Sequence, residues 1–344
     1  MRGKPGELIG RSGGRGELAI LDRIRKFANR PKNAGIRLGI GDDCALLRLK
    51  PGEELAVTTD LSIAGRHFRL EWHPSEAVGH RTLARGLSDI AAMGARPLAA
   101  FLSLGLPHNL TVAHGRRPAW VDGFFTGLLA LADAHHTALA GGDLAESPVA
   151  AADIVLIGAM PRGQALLRSG AQPGDRIFVT GALGGSAAGL ALLRKGKRAV
   201  SRASMPDSKT PDPLARHLWP QPRIAQGLWL RRRHVATAAI DLSDGLSTDL
   251  DHLCAESGVA AVIESAALPL DPGATLEQAL HGGEDYELLF TATPNAVIPR
   301  RIEGVAVTRI GSIAARRHGM PRVVLVDKSG LRRPMLPGGW QHFS

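Results

Sequence analysis

The stretch Ala239-Ile-Asp-Leu-Ser-Asp-Gly-Leu246 places two carboxylates, Asp241 and Asp244, between a predicted strand (235–241) and a predicted helix (246–257). Small residues beside the acids let a ligand approach the backbone closely. The spacing of the acids does not match a calcium-binding EF-hand loop. We therefore expect a carboxylate-bearing turn at the edge of a sheet.

Similar acids recur along the chain, each at the end of an apolar run and beside Gly, Ser or Thr. The full set is Asp42, Asp43, Asp60, Asp89, Asp143, Asp241, Asp244, Glu284 and Asp285. Any one of them, taken alone, is typical of a helix N-cap or an Asx-turn. Carboxylates gathered at one sheet edge repel each other unless cations lie between them, and oxygen-only ligands favour Mg²⁺. The pattern predicts a metal–phosphate site.

Around these acids, apolar strands alternate with amphipathic helices, which predicts an α/β or α+β fold of two domains. We expect a basic flexible leader at 1–16, a first domain at 17–160 and a second at 161–344, with an exposed loop or insertion at 195–213. Strands at 137–140 and 150–160 are predicted on either side of a Gly-Gly-Asp turn, and a helix over 214–230. The loop Gly181-Ala-Leu-Gly-Gly185 is either an anion-binding helix N-terminus or a plain tight turn.

Composition excludes several classes of protein. The 344 residues are 44% hydrophobic and carry a net charge of +10. Residues 1–37 contribute +7 of that charge, and aromatic residues make up only 4%, so a folded nucleic-acid-binding face is disfavoured. Two cysteines rule out a disulfide framework within one chain. Without an apolar run of membrane-spanning length or a secretory signal, we expect a cytoplasmic protein with no membrane partner.

Seven of these segments, in order, closely resemble the thiamine-monophosphate kinase family of the aminoimidazole ribonucleotide synthetase superfamily. They are Gly39-Ile-Gly-Asp-Asp-Cys-Ala-Leu-Leu47, Thr58-Thr-Asp60 through Phe68, Leu87-Ser-Asp-Ile-Ala-Ala-Met-Gly-Ala-Arg-Pro97, Gly141-Gly-Asp143, Leu167-Arg-Ser-Gly-Ala-Gln-Pro-Gly-Asp175, Ala239 to Leu246, and Gly282-Gly-Glu-Asp-Tyr-Glu287. The resemblance covers residues 17 to 344. It implies a two-domain synthetase-like fold, with an N-terminal ATP- and Mg²⁺-binding domain, and a homodimer built on the N-terminal domains.

The resemblance also implies a reaction, in which ATP phosphorylates thiamine monophosphate to thiamine diphosphate with the help of several Mg²⁺ ions. The implied metal-site residues are Asp43, Thr58, Thr59, Asp60, Asp89, Asp143, Asp241 and Asp244. The implied ATP contacts are Asp43, Gly142, Asp143, Arg168 and Ser243, and the implied substrate contacts are His67, Glu284 and Trp340. No general base is assigned, because a phosphate monoester is already largely anionic at pH 7. We therefore expect direct in-line transfer without a phospho-enzyme.

Two features depart from the family's pattern. Leu144-Ala-Glu-Ser147 stands where Thr-Thr-Arg-Gly is common, and Trp340 stands where the final aromatic residue is often Tyr. The first change affects the polar surroundings of Asp143, whereas the second conserves a ring for stacking.

Alternatives remain in two classes. Within the superfamily, a selenophosphate synthetase would need a reactive Cys or selenocysteine and a Lys in an N-terminal loop, but the leader contains no Cys. A hydrogenase-maturation relative would need a C-terminal Cys, where this sequence has His342-Phe-Ser344. Aminoimidazole ribonucleotide synthetase matches the Asp241 and Glu284 segments less well. Outside it, the basic leader would suit a non-catalytic RNA-binding module, whose affinity would fall steeply with salt.

Overall fold

The computed structural model describes residues 20–21, 24, 35–40, 42–115, 118–197 and 212–340. They form two compact units. The first holds the described residues up to Gly86 together with Pro97–Ala159, and the second holds Leu87–Arg96 and the described residues from Met160 onwards. The predicted leader at 1–16 and most of the predicted loop at 195–213 lie outside the described residues.

The first unit is built on a four-stranded sheet in the order β3-β6-β4-β5, in which β4 and β5 are parallel. Its elements are β1 (Ile36–Leu38), β2 (Leu46–Leu47), β3 (Glu53–Ile63), α1 (Ser75–Ala92), β4 (Arg96–Leu106), α2 (Trp120–Ala134), β5 (Ala138–Glu146) and β6 (Ala151–Pro161). The last turns of α1 belong to the second unit. Apolar side chains of α2, such as Phe124 and Leu128, are fully buried, as their helical spacing predicts.

The predicted Gly-Gly-Asp turn is wrong, because β5 continues straight through it. Leu102 pairs with Gly142 and Ser103 with Asp143 in the parallel ladder of β4 and β5. Here β5 lies so close to β4 that a Cβ atom on Gly142 would be 2.0 Å from the Leu102 carbonyl oxygen. The glycines therefore serve close strand packing and not a change of chain direction.

The second unit contains an eight-stranded sheet in the order β14-β13-β9-β12-β7-β10-β8, with β11 paired to β12. Its elements are β7 (Arg176–Thr180), α3 (Gly185–Arg194), α4 (Pro213–Leu218), α5 (Ile224–Arg233), β8 (Ala238–Asp241), α6 (Leu246–Ser257), β9 (Val259–Glu264), α7 (Leu276–His281), β10 (Leu288–Ala292), β11 (Arg301–Ile302), β12 (Val305–Ala315), β13 (Val323–Val326) and β14 (Arg332–Pro334). Ile177, Ile240, Leu250 and Leu289 belong to one core cluster, which fixes α6 against the sheet.

The single helix predicted over 214–230 is also wrong, since the chain forms α4 and α5 with a break between them. Pro220 and Pro222 lie in the break, and proline cannot donate the backbone hydrogen bond that a helix interior needs. Strands and helices alternate in both units, which confirms the mixed α/β fold class. Among the described residues, no helix combines the length and the apolar character needed to cross a bilayer.

Candidate functional site

Two acid-bearing segments of the second unit lie side by side. Beyond the paired strands β8 and β10, the Leu242 amide donates to the Glu287 carbonyl at 2.8 Å and the Tyr286 amide donates to Leu242 at 2.9 Å. The Glu284 amide donates to the Ser243 carbonyl at 2.7 Å. The backbone pairing therefore brings Ser243 and its neighbours Asp241 and Asp244 next to Glu284, although 40 residues separate the segments.

The segment around Glu284 has an unusual backbone. Glu284 has a φ of 66° and Tyr286 a φ of 51°, both in the left-handed region that side chains disfavour. The Glu284 carboxylate lies 3.9 Å from Nδ1 of the buried His217, which in turn lies 3.0 Å from Ser186 Oγ. His217 is not among the residues predicted from the sequence, because nothing in its local pattern distinguishes it from the other histidines.

The contacts of Asp285 show which of the two predictions for the Gly181–Gly185 loop, an anion-binding helix N-terminus or a tight turn, describes it. Its carboxylate accepts hydrogen bonds from the Gly184 amide at 2.6 Å and the Ser186 amide at 3.1 Å, at the N-terminus of α3. The chain's own carboxylate thus binds the amides that an anion would need. Burial raises the pKa of Asp285 to about 7, against the lowering effect of these two bonds. The loop is a turn held by Asp285.

A third acid supports the turn that carries Asp241 and Asp244. Asp249 accepts from the Asp244 amide at 3.1 Å and from the Gly245 amide at 3.0 Å. Burial, followed by repulsion from Asp241 and Asp244, raises the pKa of Asp249 to about 8. Three carboxylates are therefore close enough to destabilise one another's charge, which is the electrostatic setting in which a cation is stabilising.

Ser88, in the part of α1 that belongs to the second unit, donates from Oγ to Asp241 Oδ2 at 2.7 Å. Both residues are buried. The candidate metal ligand Asp89 follows Ser88 directly in the chain. Ser88 lies within a recognised motif, yet its partner, 153 residues away, was not predictable from local sequence.

Trp340 lies beside the same turn, since its amide donates to the Asp244 carbonyl at 3.3 Å. Its side chain is 49% exposed. The segment of Arg168 lies beside β8, because the Ala239 amide donates to the Leu167 carbonyl at 2.8 Å and Ser257 Oγ donates to the Arg168 carbonyl at 2.8 Å. Arg168 is therefore next to the strand that ends at Asp241.

In the first unit, candidate residues line a cavity of about 530 Å³. Asp42, Asp43, Gly142 and Asp143 lie on its wall together with apolar side chains that include Phe101 and Phe125. The apolar side chains suit a ring system, and the carboxylates suit a phosphate chain whose charge is neutralised by metal ions.

The three candidate metal-site residues of β3 lie on two opposite faces of the strand. Residues at even positions, Thr58 and Asp60, are partly buried, whereas Thr59 is exposed on the opposite face with its odd-numbered neighbours. Asp60 forms an ion pair of 3.4 Å with Arg85. Arg85 and His67 line one small crevice, and His67 Nδ1 accepts from the Ile63 amide at 3.0 Å. That bond puts the proton of the neutral imidazole on Nε2.

Within the described residues, no group of three or more His, Cys, Asp or Glu side chains is arranged to hold a metal ion by itself. Mg²⁺ is usually bound by one or two carboxylates, several waters and the phosphates of a substrate. The described carboxylates fit that mode, in which the protein supplies only part of the coordination shell.

Fold and site together define the class of this chain. Family models of the AIR synthase related proteins match it twice, the N-terminal domain at residues 41–164 and the C-terminal domain at 172–322. The thiamine-monophosphate kinase of Escherichia coli (strain K12) is 42% identical over 289 residues, which cover 80% of this chain and 82% of that protein.

Two solved structures are similar over most of both chains. The crystal structure of thiamine-monophosphate kinase from Stenotrophomonas maltophilia K279a has a TM-score of 0.73 and 38% identity, covering 90% of this chain and 96% of that one. A structure of AaThiL complexed with AMPPCP and TMP has a TM-score of 0.71 and 32% identity, covering 95% and 97%. The chain belongs to the thiamine-monophosphate kinase family, which confirms the resemblance drawn from its motifs.

Proposed function

We propose that this protein transfers the γ-phosphoryl group of ATP to thiamine monophosphate, giving thiamine diphosphate and ADP. The observation that carries the proposal is the backbone pairing that puts Ser243 and Asp244 beside Glu284, in a chain of this family. The similar AaThiL structure, which is complexed with AMPPCP and TMP, supports the pairing of a nucleotide with a second phosphate compound.

The acceptor needs no general base. A phosphate monoester has a second pKa of about 6 and is therefore mostly dianionic at pH 7. Two unit charges about 4 Å apart repel by roughly 4 kcal/mol at an effective dielectric of 20, and these anions carry several charges each. The enzyme's task is to position two polyanions in line, so we assign no catalytic base and no phospho-enzyme.

Mg²⁺ fits the residues that would hold it, because the donors are all oxygens and Asp249 already shows mutual repulsion in the cluster around Asp241. When bound, the ions would neutralise charge on the approaching phosphates. The proposed ligands are Asp43, Thr58, Thr59, Asp60, Asp89, Asp143, Asp241 and Asp244. Thr59 is the weakest of them, since its side chain lies on the opposite face of β3 from Asp60.

We assign the nucleotide to Asp43, Gly142, Asp143, Arg168 and Ser243. The cavity lined by Asp43, Gly142 and Asp143 supports three of these positions. Arg168 is supported by its place beside β8, since the Ala239 amide donates to the carbonyl of the preceding residue, Leu167.

Thiamine monophosphate is assigned to His67, Glu284 and Trp340. A carboxylate and an aromatic face both attract the cationic thiazolium ring. Because Nδ1 accepts from the Ile63 amide, Nε2 is the donor atom of the neutral His67 ring, and an N–H group of this kind suits a phosphate oxygen.

A homodimer is supported by the exposed face of β3, which lies at the edge of its sheet. Leu55, Val57 and Leu61 alternate along that face and are between 45% and 60% exposed. An apolar stripe on an edge strand is normally covered. Val57→Glu should lower the solution mass measured by light scattering from twice 36.3 kDa to 36.3 kDa. A wild-type mass of 36.3 kDa would rule the dimer out.

We also infer a cytoplasmic location, with neither nucleic acid nor membrane as partner. ATP as co-substrate supports the location, and so do the two unpaired cysteines, Cys44 and Cys254.

Release of ADP, followed with a coupled assay in the presence of Mg²⁺, tests the function. We expect release with ATP and thiamine monophosphate together and only background release with ATP alone. Equal release in both cases would identify an ATPase and contradict the proposal.

A further inference from the structure

The last described residues, 335–340, form a segment that we call the C-terminal strap. Met335 anchors its start, because the side chain is 5% exposed in the core of the second unit and its amide donates to the Val323 carbonyl at 3.0 Å. The chain then leaves the core, and Leu336 is 68% exposed. Residues 336–340 must therefore be held by contacts outside the hydrophobic core.

Three successive amides of the strap bind to the start of α6. Gly338 donates to Ser247 Oγ at 3.2 Å, Gly339 donates to Thr248 Oγ1 at 3.1 Å, and Trp340 donates to the Asp244 carbonyl at 3.3 Å. Ser247 and Thr248 lie in the first turn of the helix and are themselves buried. The strap is thus bonded directly to the segment that carries Asp244.

The two glycines are explained by this close approach. A Cβ atom on Gly339 would lie 2.0 Å from the Asp244 carbonyl oxygen, and one on Gly338 would lie 2.7 Å from His281 Nδ1. Ser247 Oγ also lies 2.8 Å from His281 Nδ1. The hydroxyl can therefore accept from Gly338 while it is also hydrogen-bonded to the His281 ring, and the two bonds fix its position.

We propose that Ser247 and Thr248 are positioning residues that hold Trp340 in place for substrate binding through the C-terminal strap. The inference rests on the proposed function, in which Trp340 contacts thiamine monophosphate. Trp340 is the sixth residue of a segment whose start is fixed by the core at Met335. The two hydroxyls bind the amides immediately before it, so they limit where its half-exposed ring can lie.

Thr248→Val tests the role of one hydroxyl while keeping the shape of the side chain. We expect the KM for thiamine monophosphate to rise about three- to tenfold, because one hydrogen bond of the strap is lost. The KM for ATP and the kcat should change by less than about twofold. Ser247→Ala should act in the same direction, and Thr248→Ser should restore wild-type values because it restores the hydroxyl.

Hydrogen exchange of the peptide containing residues 336–340 gives a readout independent of activity. It should become faster in Thr248→Val and stay as in wild type in Thr248→Ser. Ser329→Ala is the matched control, since that exposed hydroxyl bonds Asp327 in the turn between β13 and β14. It should leave both exchange and KM unchanged.

The possible failures are distinguishable. If wild-type protein converts thiamine monophosphate but Thr248→Val keeps its KM, the inference is wrong and the function stands. A parallel rise of both KM values would show general damage to the site and would also overturn the inference. If wild-type protein does not convert thiamine monophosphate, the proposed function fails, and the positioning role falls with it.

Discussion

Ser88 Oγ donates a 2.7 Å hydrogen bond to Asp241 Oδ2, and both side chains are buried within the second unit. The bond fixes one oxygen of a carboxylate that lies beside Asp244 and Asp249, whose charges repel. A neutral donor on Oδ2 orients this carboxylate without adding to the charge of the cluster. Residues of this kind tune a metal ligand without contacting the metal.

Replacing Ser88 by Ala should weaken the proposed Mg²⁺ binding at Asp241. Loss of a hydrogen bond to a ligand commonly reduces metal affinity by about tenfold or more. We expect the Mg²⁺ concentration for half-maximal velocity to rise by about that factor. Thr126→Val, which removes a hydroxyl that donates to the Asp122 backbone carbonyl within α2, is the matched control. Unchanged Mg²⁺ dependence in Ser88→Ala would remove the positioning role of Ser88.

Asp60→Asn and Asp244→Asn should each abolish most activity while the protein stays folded. Each change removes one negative charge from a proposed metal site, and we expect kcat to fall by at least ~100-fold at saturating Mg²⁺. Asp327→Asn, on the exposed turn between β13 and β14, should have normal kcat and serves as the control. Near-normal kcat in both Asp60→Asn and Asp244→Asn would contradict the metal assignment.

Trp340→Ala should raise the KM for thiamine monophosphate by about 5- to 30-fold, as expected for the loss of a cation–π contact of ~1–2 kcal/mol. The KM for ATP and the melting temperature should barely change. Trp340→Phe keeps a ring and should have an intermediate effect. A Trp340→Ala protein that melts earlier and loses affinity for both substrates would show a packing role instead.

Asp285 should make the protein less stable as the pH rises. Its pKa of about 7 lies above the value of about 3.9 in the unfolded chain, so the folded state binds the proton more tightly. The associated stability is fully present below about pH 4 and is lost progressively up to about pH 7. In Asp285→Asn this loss is absent, because the amide does not titrate.

Melting temperatures of wild type and Asp285→Asn should therefore diverge between about pH 4.5 and pH 8, with the variant gaining relative stability of about 2–4 kcal/mol. Other carboxylates titrate equally in both proteins, so the difference between the two curves isolates Asp285. Parallel curves over this range would show that the Asp285 pKa is not raised.

The sequence predicted the acid-bearing segments because each follows an apolar run and contains Gly or Ser. It did not predict their partners. Ser88, His217 and Asp249 act through contacts made only after the chain has folded. Ser88 lies in a recognised motif, but its partner Asp241 is 153 residues away, and nothing in the local sequence distinguishes His217 or Asp249 from ordinary polar residues. The same applies to the strap, whose Gly338-Gly339-Trp340 motif was visible while its binding site on α6 was not.

Two local predictions failed for different physical reasons. Gly141-Gly142-Asp143 looks like a turn by composition, but the register with β4 requires glycine inside a strand. The prediction of one helix over 214–230 took no account of Pro220 and Pro222. These prolines are visible in the sequence and lie in the break between α4 and α5. The first failure needed tertiary contacts to resolve, whereas the second followed from giving apolar periodicity more weight than proline.

Transfer of label from the γ-phosphate of ATP tests the central claim most directly. With thiamine monophosphate and Mg²⁺, the label should appear in thiamine diphosphate, and with free thiamine none should be transferred. This result would show that the acceptor is a phosphate and not a hydroxyl. A phosphate acceptor is expected because we assign no base that could remove the proton of a hydroxyl. Label in thiamine monophosphate formed from free thiamine, or no label in thiamine diphosphate, would contradict the account.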